Sequence, residues 1–294
     1  MITEKIKGYM NVLATEHVKP RGMWLFERLV FGWFIFNAVY YFGARDIFWG
    51  GESIFMIPNY TQGLVNNFFY ILIYSRQYAD FIFFVHLASA VLAFFGIGRF
   101  FTKILVWATS LMLYYAAWSL FNSGFLLCVL YSFYLAFAHT RSNKQSWISL
   151  TNVALIACML QLTLVYAEAA AFKMSGSMWW EGSAFYYAIN LEQFTSLSTR
   201  EFFNNKVWLV TTLTYVGLAY QALFPIAIWI KKIKWLFLAL GLLFHLFIAI
   251  FMGLPDFGSA MIIGYVLFIP ERKWKELYSR IGLERRFEIQ ERKQ

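Results

Sequence analysis

The sequence predicts an all-α fold, a polytopic membrane helix bundle of about eight transmembrane helices with flanking amphipathic helices. Three observations predict it. Of 294 residues, 60% are hydrophobic and only 14% charged, against roughly 45–50% and about 25% in a soluble domain. Apolar runs near the ~20 residues that a membrane helix requires recur along the chain. The cations are divided unevenly between the loops that join those runs.

The spans fall at about 23–43, 79–98, 101–120, 124–140, 147–172, 207–230, 235–252 and 257–270. The last two are short and are parted by Gly253-Leu254-Pro255-Asp256. Leu64 to Ser75 is apolar but too short to cross a bilayer and contains Asn66-Asn67, so it reads as re-entrant or interfacial. With eight spans, one side holds Lys5, Lys7, Lys19 and Arg21, then Arg99 and Lys103, Arg141 and Lys144, and Lys231, Lys232 and Lys234, followed by eight tail cations. That side carries nineteen cations against four on the other, Arg45, Arg76, Arg200 and Lys206. Both termini are therefore expected in the cytoplasm of a multi-pass cell-membrane protein. The organisation expected is a cytoplasmic amphipathic segment at 1–22, a transmembrane domain at 23–270 and a basic cytoplasmic tail at 271–294. Ile2, Ile6, Met10, Leu13 and His17 recur at helical spacing, as do Trp274, Leu277, Tyr278 and Ile281, a pattern suited to resting on the inner leaflet.

Several classes are excluded. The net charge is +9, but no basic stretch stands apart from the apolar runs, so nucleic acid is not a partner and the bilayer is. Cys128 and Cys158 lie inside apolar runs and supply neither a disulfide framework nor a metal site. Residues 1–22 lack the apolar core of a cleaved signal peptide, which leaves the first span as the targeting signal. No Gly-x-Ser-x-Gly, phosphate-cradling glycine loop or paired-histidine motif is present, so hydrolase, nucleotide and zinc-protease chemistry is unsupported. Asn59-Tyr60-Thr61 matches a glycosylation sequon in an outer loop, a pattern short enough to arise by chance.

An ionisable group inside a span costs roughly 2.5–3.5 kcal/mol on insertion scales and needs a partner or a purpose. Lys173 closes the fifth span behind Ala167, Ala169, Ala170 and Ala171, small residues that leave room for a close helix or a flat ligand. An amine among apolar neighbours gives up its proton more readily and can serve as a base; a lysine at a span end also snorkels to headgroups as a matter of course. Both readings stand. Glu168 lies about 140° around the helix from Lys173 and is a poor partner for it, whereas Gln161 shares the lysine's face. Gln161 and Glu168 read as glue between helices. His245 is in the middle of the seventh span, where a neutral imidazole bonded to another helix is the ordinary arrangement. His86 and His139 show no metal-ligand spacing, so no metal is expected. Arg28, in Phe26-Glu27-Arg28-Leu29, cannot face its neighbour Glu27. It therefore calls for an acceptor on another helix or an anionic headgroup. The outer segment at about 174–206 is aromatic and acidic, with Trp179, Trp180, Glu181 and Glu192.

Three stretches resemble the membrane domain of vitamin K-dependent gamma-carboxylase and its small bacterial relatives, the horizontally transferred transmembrane family. They are Leu25-Phe26-Glu27-Arg28-Leu29-Val30-Phe31-Gly32, then Tyr166 through Phe172-Lys173 to Trp179-Trp180-Glu181-Gly182, and finally Phe244-His245 with Phe257-Gly258, Phe268-Ile269-Pro270-Glu271 and Trp274. The resemblance covers about residues 23–274. It implies that Lys173 is a base acting on a quinol and that His245 is a second catalytic residue. Arg28, Glu168, Trp180 and Glu181 would contribute to cofactor binding, with a quinone or quinol as the cofactor and a pocket opening outward near Lys173.

The chain also departs from the family. The carboxylases have a lysine pair where this chain has Phe172-Lys173, the interval from the lysine to the Glu-Gly pair is one residue longer here, and Asn122-Ser123-Gly124 stands where they have a histidine after an asparagine pair. Their large lumenal domain has no counterpart after the last span. A stand-alone bacterial branch of the family that takes part in maturing a sporulation-delaying peptide toxin is similar in size.

The leading functional expectation is an accessory component of a bacterial inner membrane that helps mature or export a small secreted peptide with partner proteins. The alternative is a membrane enzyme using a quinol or another lipid-soluble cofactor with Lys173 as general base. A small-solute transporter lacks support, because no inverted repeat or pair of broken helices is evident.

Overall fold

The computed structural model describes residues 2–50, 78–117, 119–284 and 287. The segment 64–75 and the sequon at 59–61 lie outside the described residues, as do most side chains of the first amphipathic stripe. Among the described residues every regular element is helical. In chain order these are α1 Ile2–Thr15, α2 Pro20–Tyr41, α3 Arg45–Trp49, α4 Ala79–Phe95, α5 Arg99–Ala116, α6 Ser123–Ala136 and α7 Gln145–Met174. They continue with α8 Ser177–Trp180, α9 Ala184–Ile189, α10 Leu197–Asn204, α11 Val207–Ala227, α12 Lys234–Phe251, α13 Pro255–Tyr265 and α14 Glu271–Arg280.

Three of these, α7, α11 and α12, are long and apolar enough to cross a membrane. The 30 residues of α7 span about 45 Å at 1.5 Å per residue, more than the ~30 Å hydrocarbon core. The apolar helices α4 and α6 have 17 and 14 residues, and the apolar stretch Pro255–Phe268 is likewise short. The 22 residues of α2 are long enough but include Arg21, Glu27, Arg28 and Asn37. On α12 the buried residues Leu238, Gly241, His245 and Ile248 form one stripe, while Leu236, Leu243 and Ile250 are 56%, 65% and 68% exposed. Apolar residues exposed at seven-residue intervals suit a helix surrounded by lipid.

The chain divides into two compact units, one of residues 1–158 with 269–294 and one of residues 159–268. In the first, α2, α4, α5 and α6 bury residues at helical spacing: Phe26, Val30 and Phe34; Phe83, His86, Ala90 and Ala93; Val106, Ser110 and Leu113; Phe125, Cys128, Tyr131 and Leu135. Edge-on ring contacts tie them together, Phe26 to Tyr131 at 4.9 Å and Phe34 to His86 at 5.4 Å. His86 is satisfied within this core by the Thr109 hydroxyl at 3.0 Å.

Two cations that the loop count assigned to exposed loops are buried instead. The Lys103 ammonium pairs with Glu27 at 3.1 Å and donates to the carbonyls of Leu135 and Ala138 at 3.2 and 2.7 Å, at the C-terminal end of α6. Arg21, 4% exposed, pairs with Glu271 at 3.2 Å and with Glu284. Glu271 also accepts from the backbone N–H groups of Arg21 and Gly22 at 3.1 and 3.3 Å. A carboxylate from the far end of the chain thus satisfies orphan donors in the first turn of α2. The tail stripe is accordingly divided, with Trp274 and Tyr278 buried and Leu277 and Ile281 exposed. Trp274 packs against Gly22, and Tyr278 meets Trp24 edge-on, so half of a stripe suited to the inner leaflet is used to hold the start of α2.

The N-terminal segment is fastened by a residue the sequence reading passed over. Asn152 on α7 donates to the carbonyls of Leu13 and Glu16 at 2.8 and 2.7 Å and accepts from the Val18 N–H at 3.1 Å. His17 donates through Nε2 to the Ser142 carbonyl at 2.9 Å. Burial pushes its imidazole below the ordinary histidine value, while that hydrogen bond acts in the opposite direction.

Candidate functional site

In the second unit the residues singled out from the sequence fall into two sets. His245 belongs to a buried chain of tyrosines contributed by α7, α11 and the end of α13. Its Nε2 lies 2.6 Å from the Tyr166 hydroxyl; Tyr166 bonds to Tyr265, Tyr265 lies 3.2 Å from Tyr220, and Tyr220 donates to the Phe237 carbonyl at 3.3 Å. The Phe237 carbonyl can only accept, so Tyr220 donates to it. The His245 Nδ1 is buried without a hydrogen-bond partner. Gly241 makes room for this arrangement, since a Cβ there would collide with the hydroxyls of Tyr220 and Tyr265.

Lys173, at the last turn of α7, stands over the Trp179 ring with its ammonium 5.1 Å from the ring centroid. It has no hydrogen bond or ion pair with any described residue. The turn that follows is local: the Gly176 N–H bonds to the Lys173 carbonyl at 3.1 Å, and the Trp180 indole donates to the Met174 carbonyl at 2.7 Å. Tyr215 on α11 donates to the Trp180 carbonyl at 2.7 Å. Trp180, Glu181 and Glu168 are exposed. No hydrogen bond among the described residues joins the Lys173 set to the His245 chain. The segment as a whole is three short helices, α8 to α10, which leave Trp180, Tyr187, Leu197 and Phe202 between 54% and 62% exposed.

Arg28 lies in the first unit. It donates to the carbonyls of Ala93, at 2.6 Å, and Phe94, at the C-terminal end of α4. The helix ends on Gly96, whose φ of +76° lets its N–H bond back to Ala93 at 2.9 Å. A Cβ at Gly96 would approach the Arg28 guanidinium to 2.9 Å, so glycine serves both the left-handed turn and the approach of the arginine. The structure corrects the expectation for its neighbour: Arg28 Nη2 lies 3.4 Å from Glu27 Oε1. Adjacent helical positions diverge by about 100° at the Cα, but the long arms of arginine and glutamate curl far enough for their ends to meet. Glu27 thereby sits between two cations, each capping the C-terminal carbonyls of a different helix, where positive charge is favoured.

No group of three or more metal-ligating side chains occurs among the described residues. A cavity of about 620 Å³ lies in the first unit, between the starts of α5 and α7, and includes none of the second unit's candidates in its wall. The Lys103 pair and the Arg21 cluster were not recognisable from spacing, since their partners are distant in the chain. Both the lysine and the arginine were counted among the loop cations.

Searches against protein-family models, curated proteins and solved structures found no match. Among the described residues the protein is all-helical, with three helices long and apolar enough to cross a membrane.

Proposed function

We propose that the protein is an eight-span, multi-pass cell-membrane protein of the horizontally transferred transmembrane family with both termini in the cytoplasm. It serves as an accessory component in maturing or exporting a small secreted peptide. The observation that carries this reading is the buried hydrogen-bonded set of His245, Tyr166, Tyr265 and Tyr220, whose last member donates to the Phe237 carbonyl. A backbone carbonyl accepts a hydrogen bond but passes no proton on, so the histidine and tyrosines act as glue between helices. Further support comes from Asn122, whose side chain accepts from the N–H groups of Gly124 and Phe125 at 2.9 and 3.4 Å. The run that replaces the carboxylases' histidine is used as a helix N-cap. The exposed aromatics of α8 to α10 supply a surface for a peptide or a partner protein.

The test is peptide mass spectrometry of culture medium from a deletion strain and from strains complemented with wild type, Lys173→Arg and Lys173→Ala. The accessory reading expects loss of a small secreted peptide on deletion and its return with Lys173→Arg. An unchanged set of secreted peptides on deletion overturns it. One observation favours a second reading, an enzyme using a quinol: the Lys173 amine is half-buried and has no carboxylate partner among the described residues. A base must lose its proton and arginine cannot. On that reading Lys173→Arg fails as completely as Lys173→Ala at wild-type membrane abundance.

A further inference from the structure

The cavity in the first unit is built from the Gly96 to Arg99 turn, the beginning of α5, the loop before α7 and one face of α2. Its wall contains five cations, Arg28, Arg99, Lys103, Arg141 and Lys144, and a single carboxylate, Glu27. That carboxylate is engaged by Lys103 at 3.1 Å and by Arg28 at 3.4 Å. Arg99, Arg141 and Lys144 have no acidic partner among the described residues. Like charges gathered around one concavity repel, and the one carboxylate, Glu27, offsets only part of that charge.

Three further observations concern the same wall. The buried Trp24 indole nitrogen on the wall has no hydrogen-bond partner, although buried polar atoms are ordinarily paired. The indole nitrogen can only donate, so its partner must be an acceptor. Arg99 is held at φ +45°, a left-handed conformation costly for a residue with a Cβ and found where surrounding structure imposes it for a purpose. Two long helices, α5 and α7, begin at the rim and turn the positive ends of their dipoles towards it. Aromatic rings, among them Trp24, Trp147 and the 77% exposed Phe101, border the charged wall.

We propose that this cavity is a binding site for a phosphate-bearing anion. The volume and the aromatic border favour the headgroup of an anionic phospholipid, whose glycerol and first methylenes would lie along the rings. A free phosphate offers the same charge and acceptors and would use the same cations. The site involves no residue of the Lys173 or His245 sets and is independent of the function proposed above.

The test uses the full-length protein in a neutral detergent at fixed ionic strength. Thermal unfolding is followed against dioctanoyl phosphatidylglycerol, dioctanoyl phosphatidylcholine and inorganic phosphate, and an apparent Kd is drawn from the concentration dependence. Saturable stabilisation by phosphatidylglycerol is expected, with phosphatidylcholine at least about tenfold weaker because its choline opposes the cationic wall. The variant Arg99→Gln/Arg141→Gln/Lys144→Gln is expected to weaken binding by about tenfold or more, and Lys144→Gln alone by a smaller factor. These side chains are exposed, so the unliganded melting temperature should stay near wild type. Stabilisation by phosphatidylglycerol but not phosphate identifies a lipid; equal stabilisation by both identifies phosphate as sufficient. Absence of saturable binding by either probe, or undiminished binding in the triple variant, overturns the proposal.

Discussion

Lys103 and Glu27 form an ion pair at 3.1 Å in which the two side chains are 4% and 5% exposed. Burial on that scale makes their roles unequal. Glu27 is also within 3.4 Å of Arg28, so removal of Lys103 leaves the carboxylate a cation, whereas removal of Glu27 leaves two cations to repel each other. Glu27→Leu is therefore expected to destabilise the protein by about 3–5 kcal/mol, the usual cost of breaking a buried pair. Lys103→Leu should cost distinctly less. Thermal unfolding of both variants in detergent checks the order; equal losses would mean that Arg28 does not compensate.

Asn152 uses its side chain as a clamp on the turn between α1 and α2, with three hydrogen bonds to the backbone between Leu13 and Val18. Asn152→Ala removes three part-buried hydrogen bonds to that turn, at about 1–3 kcal/mol in all. The loss should be local. Limited proteolysis should cut between Thr15 and Pro20 much faster in the variant, while the remainder of the chain keeps its wild-type protection.

His17 makes that attachment sensitive to acid. Its folded-state value is lowered by burial, so in the window just below the unfolded value of about 6.5 the unfolded segment binds a proton that the folded one refuses. Stability is accordingly full above about pH 6.5 and falls as the pH drops below it. Protonation would also place an N–H at Nδ1, which is buried without a partner. Protease sensitivity of the N-terminal segment should rise as the pH falls below about 6.5 in wild type, and His17→Gln should flatten that dependence.

Tyr166 is the central link between His245 and Tyr265. Tyr166→Phe removes the hydroxyl and is expected to cost about 0.6–2 kcal/mol, the range for hydrogen bonds between helices. Gly241→Val should cost more, because its side chain would fill the space of the Tyr220 and Tyr265 hydroxyls. Melting temperatures of the two variants provide the comparison; a harmless Gly241→Val would contradict the packing of α12 on the tyrosines.

The eight-span topology makes its own prediction. Reporter fusions after Lys144 and after Lys234 should behave as cytoplasmic, and a fusion near Glu192 as external. An external signal at Lys234 would remove the eight-span arrangement.

Much of this molecule was legible because its determinants are local. A chain 60% hydrophobic with 14% charge has to satisfy its backbone within helices. The contact of Lys173 with Trp179 and the cap of Asn122 on α6 are local too, yet no pattern in the sequence announced them. The partners of Arg21, Glu27 and Asn152 were a different matter. Arg21 meets Glu271 across 250 positions, and Asn152 holds Leu13 across 139. Sequence alone established the need for a partner at Arg28, a charge inside a span, because the cost of burying a charge bare is large; Arg21 was counted with the loop cations and Asn152 carried no signal. Which partner each one takes depends on which helices pack side by side, and long flexible side chains reach whatever acceptor that packing leaves open. The same reason explains Lys103. Its position at a span boundary fits a loop cation equally well, and only the carbonyls of Leu135 and Ala138, brought beside it by α6, decide that it is buried.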